Sequence, residues 1–255
     1  MNIRNDLWIR RSRQDPRTCF RLFCFPYAGG GASIFRTWPQ RLPSDIEVCA
    51  IQIPGREERF AETPFDSLLS LIDVLADVLY PYMDFPFAFF GHSLGALISF
   101  ELTRRLRRQK TPCPMQLFVS GHRAPQIPDP DPPIHQLPDA EFIEELGRFN
   151  GTPKAVLENP ELMEVFMPLL RSDIGLDETY VYDHEAPLDC PISAFGGLED
   201  EEVSREELAG WHDQTRSEFH IQMFPGDHFF LNGKKSDDVL EIISQDIRKI
   251  TSKTE

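Results

Sequence analysis

The sequence predicts an α/β fold built on a mostly parallel central sheet. Three observations carry this. Short apolar runs recur along the chain, segments of helical periodicity separate them, and glycine or proline marks the joints.

Cys19–Phe25 (CFRLFCF) ends at Pro26 and three glycines, as a buried strand entering a loop does. Ile46–Ile53 (IEVCAIQI) alternates and stops at Pro54-Gly55, a second strand. Phe65–Tyr82 carries Leu68, Leu71, Ile72, Leu75, Val78 and Leu79 on one face, and Pro64 and Asp66 suit a helix start. Phe85–Phe90 reads as a strand. Leu94–Arg108 reads as a helix with an apolar first half and a basic second half, and Met115–Ser120 as a buried strand.

The alternation then breaks. Pro125–Pro138 holds six prolines in fourteen residues, a rigid non-helical linker. Asp139–Tyr182 is helix-rich, with segments at Asp139–Arg148, near Pro153–Leu157, and from Pro160 onward. Strand Cys190–Phe195, helix Ser204–Thr215, strand Phe219–Phe224 and the amphipathic helix Asp237–Ile250 complete the chain. The expectation is one domain, 1–255, with a helical insertion over 125–188. Above the carboxyl ends of a parallel sheet such an insertion forms a lid, because ligand crevices lie there.

The 255 residues are 41% hydrophobic and 26% charged, ordinary globular usage. The net charge is −15 and uneven. Residues 1–124 carry 16 Lys+Arg and 12 Asp+Glu, net +4, while 125–255 carry 10 and 29, net −19. This balance argues against nucleic acid and against anionic lipid as partners. Five cysteines (Cys19, Cys24, Cys49, Cys113, Cys190) without a C-x-x-C pair read as buried, reduced thiols of a cytoplasmic protein. Met1–Trp8 has no apolar signal core, and no window approaches the ~18 apolar residues of a membrane span. Scattered histidines give no metal site, and the glycines match no nucleotide loop. The basic run Arg104, Arg105, Arg107, Arg108 and Lys110 reads as a solvated helix end.

Gly91-His92-Ser93-Leu94-Gly95 stands between a strand and a helix, the context of a nucleophile elbow. Ser93 is the candidate nucleophile, with Gly91 and Gly95 leaving room for a tight turn. In α/β-hydrolases the acid and then the histidine follow the serine in the chain. His228, in the loop after the last strand, is the candidate base, and His122 is its best competitor. The acid belongs to the cluster after Phe195. Asp200 is chosen ahead of Glu199, with Glu201 and Glu202 assigned to a solvated face. The oxyanion donors are the amides of Ala28, in the loop after the first predicted strand, and Leu94.

Six motifs occur in order: FPYAGGG (Phe25–Gly31), IPGREER (Ile53–Arg59), GHSLGALISFEL (Gly91–Leu102), LRSDIGLDETY (Leu170–Tyr180), FGGLED (Phe195–Asp200) and FPGDHFFL (Phe224–Leu231). Together they resemble type II thioesterases, the stand-alone thioesterases that accompany nonribosomal peptide and polyketide synthases. Animal enzymes that release medium-chain acids from fatty acid synthase share much of the pattern. The resemblance implies the α/β-hydrolase fold, a cytoplasmic monomer without cofactor, and Ser93, Asp200 and His228 as the triad. It also implies hydrolysis of acyl or aminoacyl thioesters on the phosphopantetheine arm of acyl or peptidyl carrier proteins, usually as proofreading. Glu201-Glu202 stands where many members have proline, a local departure. A carboxylester hydrolase or lipase and a non-catalytic interaction module are the competing readings. Since carrier proteins of such systems are acidic, docking is expected to be apolar, helped by Arg56 or Arg59.

Overall fold

The computed structural model describes residues 7–11, 15–149, 151–232 and 236–252. Residues 1–6, most of the stretch read above for a secretion signal, lie outside the described residues. The strands are β1 (Ile9–Arg11), β2 (Phe20–Phe25), β3 (Ile46–Ile51), β4 (Phe87–His92), β5 (Leu117–Ser120), β6 (Ile192–Gly197) and β7 (Phe219–Phe224). They form one sheet in the order β1-β3-β2-β4-β5-β6-β7. Only β1 runs antiparallel among the paired strands. Every residue of β2 through β6 is buried, as in a sheet covered on both faces. Edge strand β7 alternates in burial instead.

Strand β1 was not expected. Three residues, two of them arginine, carry no readable period. A side-chain network holds the strand. Arg11 donates twice to the Glu47 carboxylate of β3 at 3.0 Å, and Arg21 of β2 donates to it at 2.8 Å.

The helices are α1 (Leu68–Leu79), α2 (Leu94–Gln109), α3 (Asp139–Arg148), α4 (Lys154–Leu157), α5 (Pro160–Glu178), α6 (Arg205–Ala209) and α7 (Ser236–Ser252). Helix α1 starts three residues later than its apolar pattern, where the Ser67 side chain accepts from the Ser70 amide. The helix expected over Ser204–Thr215 ends at Ala209, and a 3-10 turn continues from Gly210 to Gln214. That turn buries Trp211, whose Nε1 donates to the His122 carbonyl at 2.8 Å. Helices α3 to α5 fill the interval between β5 and β6 and pack on a small apolar cluster of Ile134, Phe142, Leu146, Met163 and Leu170.

Two expectations need correction. The basic run ending α2 is a solvated face only in part: Arg108 and Lys110 are exposed. Arg104 is buried and pairs with Glu101, while Arg107 and Arg108 grip Glu185 on the segment returning toward β6. Nor are all five thiols buried. Cys24, Cys49 and Cys190 are, but Cys19, one residue ahead of β2, and Cys113 are exposed. Burial pushes the Cys49 and Cys190 thiols up to about 12, so they carry little thiolate. No helix among the described residues is long and apolar enough to cross a membrane.

Candidate active site

The elbow is formed as its residue types require. Between β4 and α2 the backbone passes Ser93 at φ 52°, ψ −126°, a conformation that costs a non-glycine residue strain. The Ser93 amide donates to the Ser120 carbonyl of β5 at 2.8 Å, which fastens the turn to the sheet. A Cβ on Gly91 would lie 2.0 Å from the Gly95 carbonyl oxygen, and one on Gly95 would lie 2.2 Å from that of Phe25. Both contacts are with backbone and cannot be relieved by side-chain rotation. Gly95→Ala is therefore expected to cost about 3 kcal/mol or more. Denaturant melts check this, and an unchanged midpoint contradicts it.

The loops after β6 and β7 carry the candidate acid and the candidate base. Gly197 closes β6 so tightly on the following loop that a Cβ there would meet the Asp227 carbonyl oxygen at 2.4 Å. Asp200 Oδ2 lies 3.0 Å from His228 Nδ1. Its Oδ1 accepts from the amides of Glu202 and Val203 at 2.9 and 3.2 Å. The Asp200 side chain is fully buried, whereas Glu199 is exposed. With Nδ1 committed to Asp200, Nε2 is the ring nitrogen left to act on a substrate. His228, Ser93, Ala28 and Leu94 all line one cavity of about 160 Å³. Leu94 opens α2, so its N–H has no intrahelical acceptor. Gly29 follows Ala28 at φ +75°, which turns the loop after β2 toward the elbow.

The structure brings together every residue predicted for the site and adds several. Glu202 is not on a solvated face: it is half-buried, lines the cavity, and burial holds its carboxyl above the usual range. His92 is buried against His228 with ring centroids 5.2 Å apart. Burial keeps it neutral, and its Nδ1 lies 3.0 Å from Ser120 Oγ. Arg56 and Arg59 are buried too, 3% and 4% exposed, so the surface role expected for them fails. Arg59 lies 4.0 Å over the Trp8 ring and pairs with Glu62. Arg56 reaches Asp173 of α5.

The family model of the thioesterase domain matches residues 20–247. The chain belongs to the thioesterase family. This thioesterase is 45% identical over 243 residues to the gramicidin S biosynthesis protein GrsT of Aneurinibacillus migulanus, across 95% of this chain and 94% of that one. It is 35% identical to the medium-chain S-acyl fatty acid synthase thioesterase of Rattus norvegicus, across 89% and 88%. The solved structure of the type II thioesterase BorB from the borrelidin biosynthetic cluster superposes with a TM-score of 0.85 at 35% identity, across 96% and 99%. The sheet and its helices are those of the α/β-hydrolase thioesterases.

In this thioesterase the competing base candidate, His122, has a different partner. Its Nε2 lies 2.9 Å from Asp177 Oδ1 and its Nδ1 lies 2.6 Å from the Arg123 carbonyl oxygen. Both neighbours are acceptors, an arrangement that favours the doubly protonated imidazolium. Burial opposes the charge, but the Asp177 carboxylate outweighs it. His122 is raised above its ordinary 6.5, and Asp177 is lowered below its ordinary 3.8. The His122 contribution to stability is complete below 6.5 and is lost as pH rises through its raised folded value. The Asp177 contribution is complete above 3.8 and is lost as pH falls through its lowered value. His122→Gln should thus lower Tm by roughly 3 °C, about 1 kcal/mol, at pH 5 to 6. The gap should narrow toward pH 9 in paired thermal melts. A gap that widens at high pH contradicts this pairing. Among the described residues no cluster of three or more His, Cys, Asp or Glu is arranged to hold a metal ion.

Proposed function

We propose that the protein is a type II thioesterase that hydrolyses acyl or aminoacyl thioesters from the phosphopantetheine arm of carrier proteins. One observation carries the reading. His228 is oriented by Asp200 through Nδ1 and shares a small cavity with a serine held at a strained elbow.

In this mechanism His228 Nε2 takes the Ser93 proton as Oγ attacks the thioester carbonyl. The Ala28 and Leu94 amides stabilise the oxyanion. Collapse breaks the C–S bond, and the pantetheine thiolate takes the proton back from His228. Water, deprotonated by the same imidazole, then attacks the acyl-serine carbonyl; the C–Oγ bond breaks, His228 returns the proton to Ser93 Oγ, and the acid leaves. Helices α3 to α5 act as a lid, since Leu146, Leu170, Ile174 and Asp177 form part of the cavity wall. The protein works as a cytoplasmic monomer and needs no cofactor beyond the arm that the substrate brings.

Cavity size favours short acyl groups. At about 160 Å³ it is close to an engineered cavity of about 150 Å³ that binds benzene. The GrsT and BorB likenesses support a role beside an assembly line, clearing stalled groups. The rat relative favours a second reading, release of medium-chain fatty acids. A panel of carrier proteins loaded with acetyl, aminoacyl, octanoyl and decanoyl groups separates the two. Faster turnover of acetyl and aminoacyl carriers is expected, and a preference for eight to ten carbons selects the second reading. A strong preference for p-nitrophenyl esters over acyl-pantetheine would overturn both.

A further inference from the structure

We propose that Asp173 and Arg56 are positioning residues for the oxyanion hole, setting the backbone of the loop that carries Ala28. The proposal rests on the reading of Ala28 as an oxyanion donor. Its basis is a buried junction between α5 and that loop, joining residues from two motifs for which the sequence offered no catalytic role.

Asp173 is 1% exposed on α5 and shares its buried face with Leu169, Leu170 and Leu176. Its carboxylate accepts three hydrogen bonds. Two come from the Arg56 guanidinium at 2.8 Å each, a bidentate fork. The third comes from the Gly29 amide at 2.7 Å, and Gly29 is the residue after Ala28. Arg56 Nη1 also donates to the Gly30 carbonyl at 3.1 Å. The pair therefore holds the loop from both polarities, an N–H at Gly29 and a C=O at Gly30. One helical turn earlier, Leu170 packs so close to Gly29 that a Cβ there would meet its Cδ2 at 2.7 Å. Helix α5 thus presses on this glycine with one apolar and one charged side chain.

The chemistry explains the expense of such a pair. A buried carboxylate with a buried guanidinium adds little net stability compared with apolar residues of the same shape. It does fix direction. With its N–H drawn to Asp173, Gly29 fixes the Ala28–Gly29 peptide plane, and the Gly30 amide, donating to the Tyr27 carbonyl at 2.9 Å, holds the adjoining Tyr27–Ala28 plane that carries the oxyanion donor. An oxyanion donor works only when it is aligned before charge develops. The junction also makes the donor's alignment depend on where α5 sits, so the helical segment and the hole are set together.

The test uses the full-length protein and three measurements on Asp173→Asn and Arg56→Lys. Active sites are first counted at the end point of fluorophosphonate labelling. Then kcat and KM are measured per labelled site with an acyl-pantetheine thioester. Finally Ki is measured for two analogues of that substrate. One is a trifluoromethyl ketone, which Ser93 Oγ attacks to give a tetrahedral oxyanion. The other is the amide, with nitrogen in place of sulfur.

For D173N the expected loss in kcat per site is about 10- to 100-fold, somewhat less than deleting an oxyanion donor. The trifluoromethyl ketone Ki should rise by the same factor, with KM and the amide Ki unchanged within about twofold. R56K keeps the charge but loses the fork, and should show the same split at several-fold. If D173N fails to fold, R56K alone decides. A purely structural pair would lower Tm and the number of labelled sites while leaving per-site kcat and both Ki values alone, and that result overturns the proposal. Failure of the underlying reading shows elsewhere: the wild type itself would bind the trifluoromethyl ketone no more tightly than the amide.

Discussion

Ser93→Ala is expected to remove hydrolysis of an acyl-carrier thioester, lowering kcat/KM by about 10⁴- to 10⁶-fold. Only the hydroxyl is lost. The elbow, with Ser93 at φ 52° and its amide bonded to Ser120, stays as it is. Ser93 is half-buried at the cavity wall, so Tm should move by no more than about 2 °C. The combination is diagnostic, because a variant that lost activity by unfolding would also lose its melting transition. Steady-state kinetics and a thermal melt on the same preparation check it. Wild-type turnover by S93A would show that Ser93 is not the nucleophile.

Asp200→Asn is expected to lower kcat by about 10⁴-fold, and the reason lies in which atoms the acid already serves. Oδ1 accepts two backbone amides, from Glu202 and Val203. An asparagine must keep its oxygen on those donors, so its NH₂ group faces His228 Nδ1. The imidazole then accepts at Nδ1 and carries its proton on Nε2, where it cannot take one from Ser93. Glu199→Gln, on the exposed neighbour, should stay within about twofold of wild type. Should Glu199→Gln prove the more damaging, Glu199 is the acid.

The parts of the site legible in the sequence follow strands directly. Ser93, Asp200 and His228 each lie within a few residues of the end of a strand with a strong apolar signal, and glycines mark all three joints. The loop after β2 was legible for the same reason. Strands β2 to β6 were legible because full burial leaves mostly apolar runs, with Arg21 and Glu47 as exceptions that pair with each other. What was not legible depends on contacts across the fold. Arg56 and Asp173 are 117 residues apart, and nothing local in IPGREER says that its arginine is buried. A charge run reads as solvent-facing until the partner that covers it is known, and this misassigned Arg56, Arg59, Arg104 and Glu202 alike. A signal did exist on α5. Asp173 and Asp177 occur four apart amid Leu169, Leu170, Ile174 and Leu176, acids inside an apolar stripe, which a stable helix buries only when they are paired.

The charge asymmetry takes a different meaning from the one expected. The acidic half includes α3 to α5, and several of its carboxylates face inward to Arg56, His122 and His135 instead of outward to a partner. Since Arg56 and Arg59 are committed to internal pairs, they offer no basic surface to an acidic carrier.

Ser93 is expected to take the acyl group from a carrier-bound thioester. Rapid acid quench after mixing enzyme with an acyl-loaded carrier protein, followed by peptide mass spectrometry, tests it most directly. An acyl adduct is expected on the peptide containing Ser93, matched by loss of the acyl mass from the carrier's phosphopantetheine arm. No adduct is expected in S93A. Acyl transfer to another residue, or turnover with Ser93 unmodified and dispensable, would contradict it.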